Sequence, residues 1–166
     1  MDSRTAAVLA AVLLVSVGGV AALELGFLGS DGYDRTTVAV EDESGQQLAT
    51  VEVRVSDTFD ERYTGLSDTE SLAPNEGMLF VHGSESRKTY VMRDMAFPID
   101  MVFVAANGTI TRIHHAELPP EGTSESDLTG YTGRAKYVLE VPYEFTTDHG
   151  IEVGDRLVIP EEHRDP

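Results

Sequence analysis

The sequence predicts a mainly β domain, a compact β-sandwich or a partly open barrel with one or two short helices, set behind an N-terminal transmembrane helix. Three observations carry that expectation. Apolar residues beyond residue 36 recur mostly with a period of two, turn-forming residues interrupt them at short intervals, and an uncharged apolar run precedes them all. The clearest strand covers residues 47–55, where Ala49, Val51, Val53 and Val55 alternate with Thr50, Glu52 and Arg54. One of its faces therefore belongs to a core and the other to water.

The elements follow in chain order. Residues 6–23 carry no charge and Ser16 is their only hydroxyl side chain. With Leu25, Phe27 and Leu28 beyond Glu24, the run reaches the roughly 20 residues that cross a bilayer core of about 30 Å. Arg4 lies on its short N-terminal side and most acids lie after it, so the C-terminal domain is expected outside the cytoplasm on a single-pass anchor. A signal peptide cut after the small residues Val20 and Ala22, releasing a secreted domain, is the alternative. Residues 1–28 are thus the anchor or signal, and the polar, turn-rich stretch 29–36 is a linker. Residues 37–42 and 47–55 pair as a hairpin around Glu43-Ser44-Gly45-Gln46. Thr58-Phe59-Asp60-Glu61 has capping-box spacing and opens a short helix that Gly65 ends. Strands are expected at 78–81, 87–92 and 101–105, and Asn107-Gly108 turns the last of these into a strand over 109–115. A loop rich in Pro, Glu, Ser and Thr fills 116–130. A strand at 136–141, a short helix at 143–149 ended by Gly150 and a strand at 156–159 complete a β-rich domain over 37–160, with 161–166 as a tail.

Composition narrows the partners. The 166 residues fit one domain with a short appendage. They include 29 acids against 12 bases, a net charge of −17, which excludes nucleic acid as a partner because phosphate binding needs a basic face. Sixteen of those negative charges follow residue 30, dispersed rather than blocked, and the only lysines are Lys88 and Lys136. Such a surface repels itself at low ionic strength and is screened in molar salt, where the Debye length is about 3 Å, so a halophilic origin is expected. The absence of cysteine excludes disulfides, a cysteine nucleophile, a thiolate metal site and a lipidated cysteine anchor.

At Glu61-Arg62-Tyr63-Thr64-Gly65-Leu66, Gly77-Met78-Leu79-Phe80, Met92-Arg93, Pro98-Ile99-Asp100 and Tyr137-Val138-Leu139-Glu140-Val141-Pro142, the chain resembles the domain of unknown function family 192. The spacing continues through Gly150-Ile151 and Gly154-Asp155-Arg156, so the likeness covers about residues 47–159. The resemblance implies a small β-rich, jelly-roll-like domain, often exported or membrane-tethered, with no established biochemical activity. Four positions depart from the family pattern: Ser67 for a common methionine, Thr69 for an arginine, Val91 for a tryptophan and Asp94 for an asparagine.

The candidate ligand-binding residues are the matched polar ones, Arg62, Arg93, Asp100 and Glu140. Two carboxylates and two guanidiniums in apolar surroundings suit either a structural bidentate ion-pair cluster or a pocket for a small polar or anionic ligand with arginine clamps. Glu140 lies on the opposite strand face from Tyr137, Leu139 and Val141, whereas Asp100 shares its face with Val102 and Val104. No catalytic residue is assigned, since no nucleophile-elbow serine or Gly-rich phosphate loop is present. No metal site or cofactor is expected, because the five histidines lack ligand spacing and the adjacent His114 and His115 point to opposite faces. Met78, Met92, Met95 and Met101 read as core. Asn107-Gly108-Thr109 is a candidate glycosylation site at Asn107. The sequence therefore points to a membrane-anchored extracytoplasmic binding or accessory module that meets a small ligand or a surface protein. The alternatives are a hydrolase of surface polymer using Asp100 and Glu140, or a structural partner of a membrane complex that makes contact through loop 116–130.

Overall fold

In a computed structural model of the chain, residues 32–166 are described. The apolar run 6–23, and with it the anchor or signal, lies outside the described residues. Among the described residues no helix is long and apolar enough to cross a membrane. The described residues form seven strands: β1 (Asp34–Glu41), β2 (Gln47–Ser56), β3 (Glu76–Tyr90), β4 (Ile99–Val104), β5 (Ile110–Ala116), β6 (Tyr131–Pro142) and β7 (Arg156–Val158). Two short helices, α1 (Phe59–Thr64) and α2 (Phe145–Asp148), interrupt them. β1 begins inside the stretch expected to be linker.

The strands form one sheet in the order β5-β4-β6-β3-β2-β1-β7. This corrects the β-sandwich expectation, because the strands of the described residues all belong to one curled sheet, and selects the partly open barrel. Curling brings the outer edges together. Thr109 bridges Arg156, and main-chain bonds join Ile110 N to Asp155 O at 2.8 Å and Leu157 N to Gly108 O at 2.8 Å. Gly108 is needed at this seam: its φ is +90°, and a Cβ would stand 2.8 Å from the Leu157 carbonyl oxygen. All pairings are antiparallel except β2 with β3, which run parallel around the crossover that holds α1.

Curling a sheet whose strands alternate yields two apolar layers. One fills the lumen with Val38 and Val40, Val51 and Val53, Leu79 and Val81, Val102 and Val104, Leu139 and Val141, and Ile110 and Leu157; Phe145 of α2 joins it. The other coats the outer face of β3, β4 and β6 with Met78, Phe80, Met101, Phe103 and Val138, packed with Leu66, Met92 and Tyr33. Three of the four methionines singled out in the sequence, Met78, Met92 and Met101, are buried in this layer and Met95 packs against it.

The expected strands 78–81 and 87–92 are one 15-residue strand, β3, interrupted by a bulge between Val81 and Ser86. A bulge adds unpaired residues and breaks the alternation, which is why the sequence pattern divides there.

Candidate functional site

The outer layer is incomplete where α1 overhangs β3 and β6. A cavity of about 330 Å³ opens there, within the range of small-molecule sites. α1 forms one wall. Thr58 caps it by accepting from Glu61 N at 3.3 Å while the Glu61 carboxylate accepts from Thr58 N at 3.0 Å, the capping box expected from the sequence. Gly65 ends it at φ +53°, with the Phe80 ring 3.3 Å from where a Cβ would sit. This short, tightly bounded helix presents Phe59 and Tyr63, 75% and 61% exposed, at the cavity mouth and stacks their rings 6.4 Å apart. Leu66, Phe80, Val91 and Met95 add apolar lining.

Three cations surround the opening. Arg62 donates from Nη1 to the carbonyls of Asp57 and Val81, the latter at 2.9 Å, which ties α1 to β3 just before its bulge. Arg93 donates to the Tyr63 carbonyl, lies 4.0 Å over the Tyr63 ring, and pairs with Glu125 at 3.7 Å. Lys88 has no hydrogen-bond or ion-pair partner among the described residues, and burial with the neighbouring Arg62 charge holds its ammonium below the usual range. Beside it His82 Nε2 lies 2.9 Å from the Tyr90 hydroxyl. Burial pushes the His82 imidazole down to about 4, with Lys88 and Arg62 adding to the effect, so it is neutral at pH 7. Burial and the nearby Glu140 carboxyl raise the Tyr90 phenol, which stays protonated.

Glu140 also lines the cavity. It is 5% exposed and, among the described residues, its carboxyl has no hydrogen-bond or ion-pair partner. Burial pushes it up to about 8. At neutral pH it is therefore a carboxylic acid, with one O–H to donate.

Asp100 is elsewhere. The β4–β6 register pairs Asp100 with Val141 and Met101 with Glu140, so the two carboxyls leave opposite faces of the sheet. Fully buried, Asp100 accepts from the Glu144 and Thr146 main-chain N–H groups at 3.1 and 2.9 Å and from the Thr146 hydroxyl at 2.6 Å. His115 Nδ1 lies 2.6 Å away and supplies a fourth partner. Asp100 is the anchor of the first turn of α2. The structure thus brings Arg62, Arg93 and Glu140 together and leaves Asp100 out. It also corrects the ion-pair cluster: neither arginine bridges Asp100 or Glu140, since both guanidiniums are engaged by main-chain carbonyls around α1. The hydrolase pair is corrected because Asp100 and Glu140 leave opposite faces of the sheet.

Two departures from the family pattern lie here. Ser67 and Val91 line the cavity, and Ser67 Oγ donates to the Arg93 carbonyl at 2.8 Å. Asp94 follows with φ +53°, a left-handed conformation that short polar side chains tolerate. Thr69, the fourth, accepts from Arg54 at 3.0 Å. Loop 116–130 borders a second cavity of about 300 Å³, with Arg93 shared between the two. Asn107 is exposed in the β4–β5 turn, its side chain accepting from Thr109 N at 3.0 Å. Among the described residues no three His, Asp or Glu side chains converge as metal ligands.

The family model for DUF192, described as uncharacterized ACR, matches residues 39–159. The chain belongs to the domain of unknown function family 192. Two solved structures resemble this family member. A candidate transcription regulator from Sinorhizobium meliloti is 30% identical, with a TM-score of 0.67 over 75% of this chain and 93% of that one. A protein of unknown function from Novosphingobium aromaticivorans is 25% identical, with a TM-score of 0.68 over 78% and 89% of the two chains. No curated protein shows significant similarity to this family-192 chain.

Proposed function

We propose that this family-192 protein is a membrane-tethered, extracytoplasmic binding module that takes a small anionic or polar organic ligand in the cavity beneath α1. One observation carries the reading. In a chain with 29 acids and 12 bases, three of the bases (Arg62, Lys88 and Arg93) line one aromatic-walled cavity that holds a single acid, Glu140, in its neutral form. A local reversal of charge of this kind focuses anions toward the opening against the field of the whole molecule. The tether rests on the apolar run 6–23, and the scarcity of lysine among dispersed acids supports a high-salt environment. A role on nucleic acid, which the description of the Sinorhizobium relative raises, fits poorly with a net charge of −17.

The test is a thermal-shift screen of small organic anions against the full chain in molar salt, repeated with Lys88→Gln. Because Lys88 holds no partner among the described residues, its replacement leaves unfolding temperature without ligand unchanged while reducing the anion-induced shift at least by half. A screen in which no organic anion stabilises the wild type, or in which Lys88→Gln responds equally, would sink the reading. Membrane fractionation with N-terminal sequencing tests the tether: a mature chain beginning near Leu23 would replace it with secretion.

A further inference from the structure

Resting on that reading, we infer that the cavity selects oxo acids, small organic acids that carry a second, acceptor-only oxygen: the carboxylate meets the cationic rim, and the carbonyl oxygen accepts a hydrogen bond from the Glu140 carboxyl. The starting point is an imbalance inside the cavity. The rim offers cationic donors, with Lys88 uncommitted among the described residues and Arg62 and Arg93 each bound to main-chain oxygens through part of their forks. Glu140 is the opposite case, a side chain buried except where it lines the cavity, whose carboxyl has no partner among the described residues. A ligand that fills the cavity shuts water away from this carboxyl, so it is held best when it brings a group that pairs with it.

The chemistry of that partner follows from what surrounds Glu140. β3 supplies His82, Lys88 and Tyr90; α1 supplies Arg62 and Tyr63; the segment after β3 supplies Arg93. His82 is neutral and bonded to the Tyr90 hydroxyl, so neither carries a negative charge. Burial keeps Glu140 protonated. A protonated carboxyl presents an O–H, and a ligand carbonyl oxygen accepts from it without bringing a further polar hydrogen that the cavity would have to pair. Phe80 and Tyr90, packed edge-on with centroids 5.1 Å apart, wall the space in which the ligand body lies and favour a carbon framework over inorganic phosphate.

The experiment is calorimetric titration of the full chain in molar salt at pH 6.5 and 9.5. The probes are pyruvate, levulinate and 4-acetylbenzoate, which space the two oxygens differently, each beside its counterpart without the carbonyl: propionate, pentanoate and 4-ethylbenzoate. At pH 6.5 at least one oxo acid binds about tenfold more tightly than its counterpart, the worth of one hydrogen bond to a buried group. At pH 9.5, above the value of about 8, that preference disappears, because the ionised Glu140 has no proton to donate and repels the carbonyl oxygen. Glu140→Gln keeps a donor that cannot ionise, so it retains the preference at both pH values. Equal binding of each oxo acid and its counterpart at pH 6.5 overturns the inference and leaves the anion-binding module intact. So does a preference that persists at pH 9.5 in the wild type, or one abolished at both pH values in a folded Glu140→Gln. No binding of any of the six acids overturns both readings together.

Discussion

Asp100 and Glu140 occupy adjacent rungs of the β4–β6 ladder and are both buried, yet they face opposite sides of one sheet and meet opposite fates. On the lumen side Asp100 accepts from two main-chain N–H groups, a threonine hydroxyl and His115, and thereby fixes where α2 starts. On the outer side Glu140 faces a cavity and has no partner among the described residues. The difference teaches how to distinguish a structural buried carboxyl from a candidate binding one. Burial is common to both; satisfaction separates them. A satisfied acid closes its own account of donors and acceptors, whereas an unsatisfied one at a cavity leaves a requirement that a ligand can meet.

Three measurements break or sharpen that contrast. The largest effect is expected from the pH dependence of Glu140. Folding raises its carboxyl from 4.5 to about 8, so the folded state is favoured in full below pH 4.5 and loses that advantage as pH rises through 8. Urea unfolding of the wild type and Glu140→Gln at pH 4.5 and 9 should show the wild type losing about 4 kcal/mol more than the variant across that window. Parallel pH profiles would mean that Glu140 is ionised throughout, and the contrast would fail. Next is Asp100→Asn, which turns an amide donor toward groups that themselves donate and should cost about 3 kcal/mol in urea unfolding at pH 7. Because Asp100 faces away from the cavity, the Asn variant, still folded, should keep ligand-induced thermal shifts; their loss would couple the two faces. The smallest is Thr58→Ala, which removes the cap of α1 and should cost about 1 kcal/mol while weakening binding, since α1 carries Phe59, Arg62 and Tyr63. A stability loss with ligand affinity unchanged would show that this wall is dispensable.

Much of the local structure is legible in the residues themselves. Thr58 and Glu61 at capping-box spacing mark α1, Asn107-Gly108 marks the β4–β5 turn, and alternation around Glu140 and Asp100 gives the strand face of each. What alternation lacks is the neighbour: that β4 lies beside β6, with Glu140 opposite Met101, is a pairing between residues far apart in the chain. Without it the two acids read as a possible pair. Lys88, His82 and Tyr90 escape for another reason, since the bulge after Val81 splits β3 in the pattern and hides that residues on both sides of it line one cavity. The scarcity of lysine was the one available signal for Lys88. Single-sheet closure is likewise non-local, resting on contacts between the Gly108 turn and residues 154–157.

That seam has a bearing on solubility. A strand with unpaired N–H and C=O groups is a template for another copy of the chain, and acidic surfaces ordinarily hold such copies apart. In concentrated salt the repulsion between copies is lost beyond about 3 Å. Where β5 and β7 meet, the main-chain groups of Gly108, Ile110, Gly154 and Leu157 are already spoken for within the molecule, by bonds that no electrolyte screens. Over that stretch the domain is guarded against joining its neighbours edge to edge by its own curvature, in dilute buffer and brine alike.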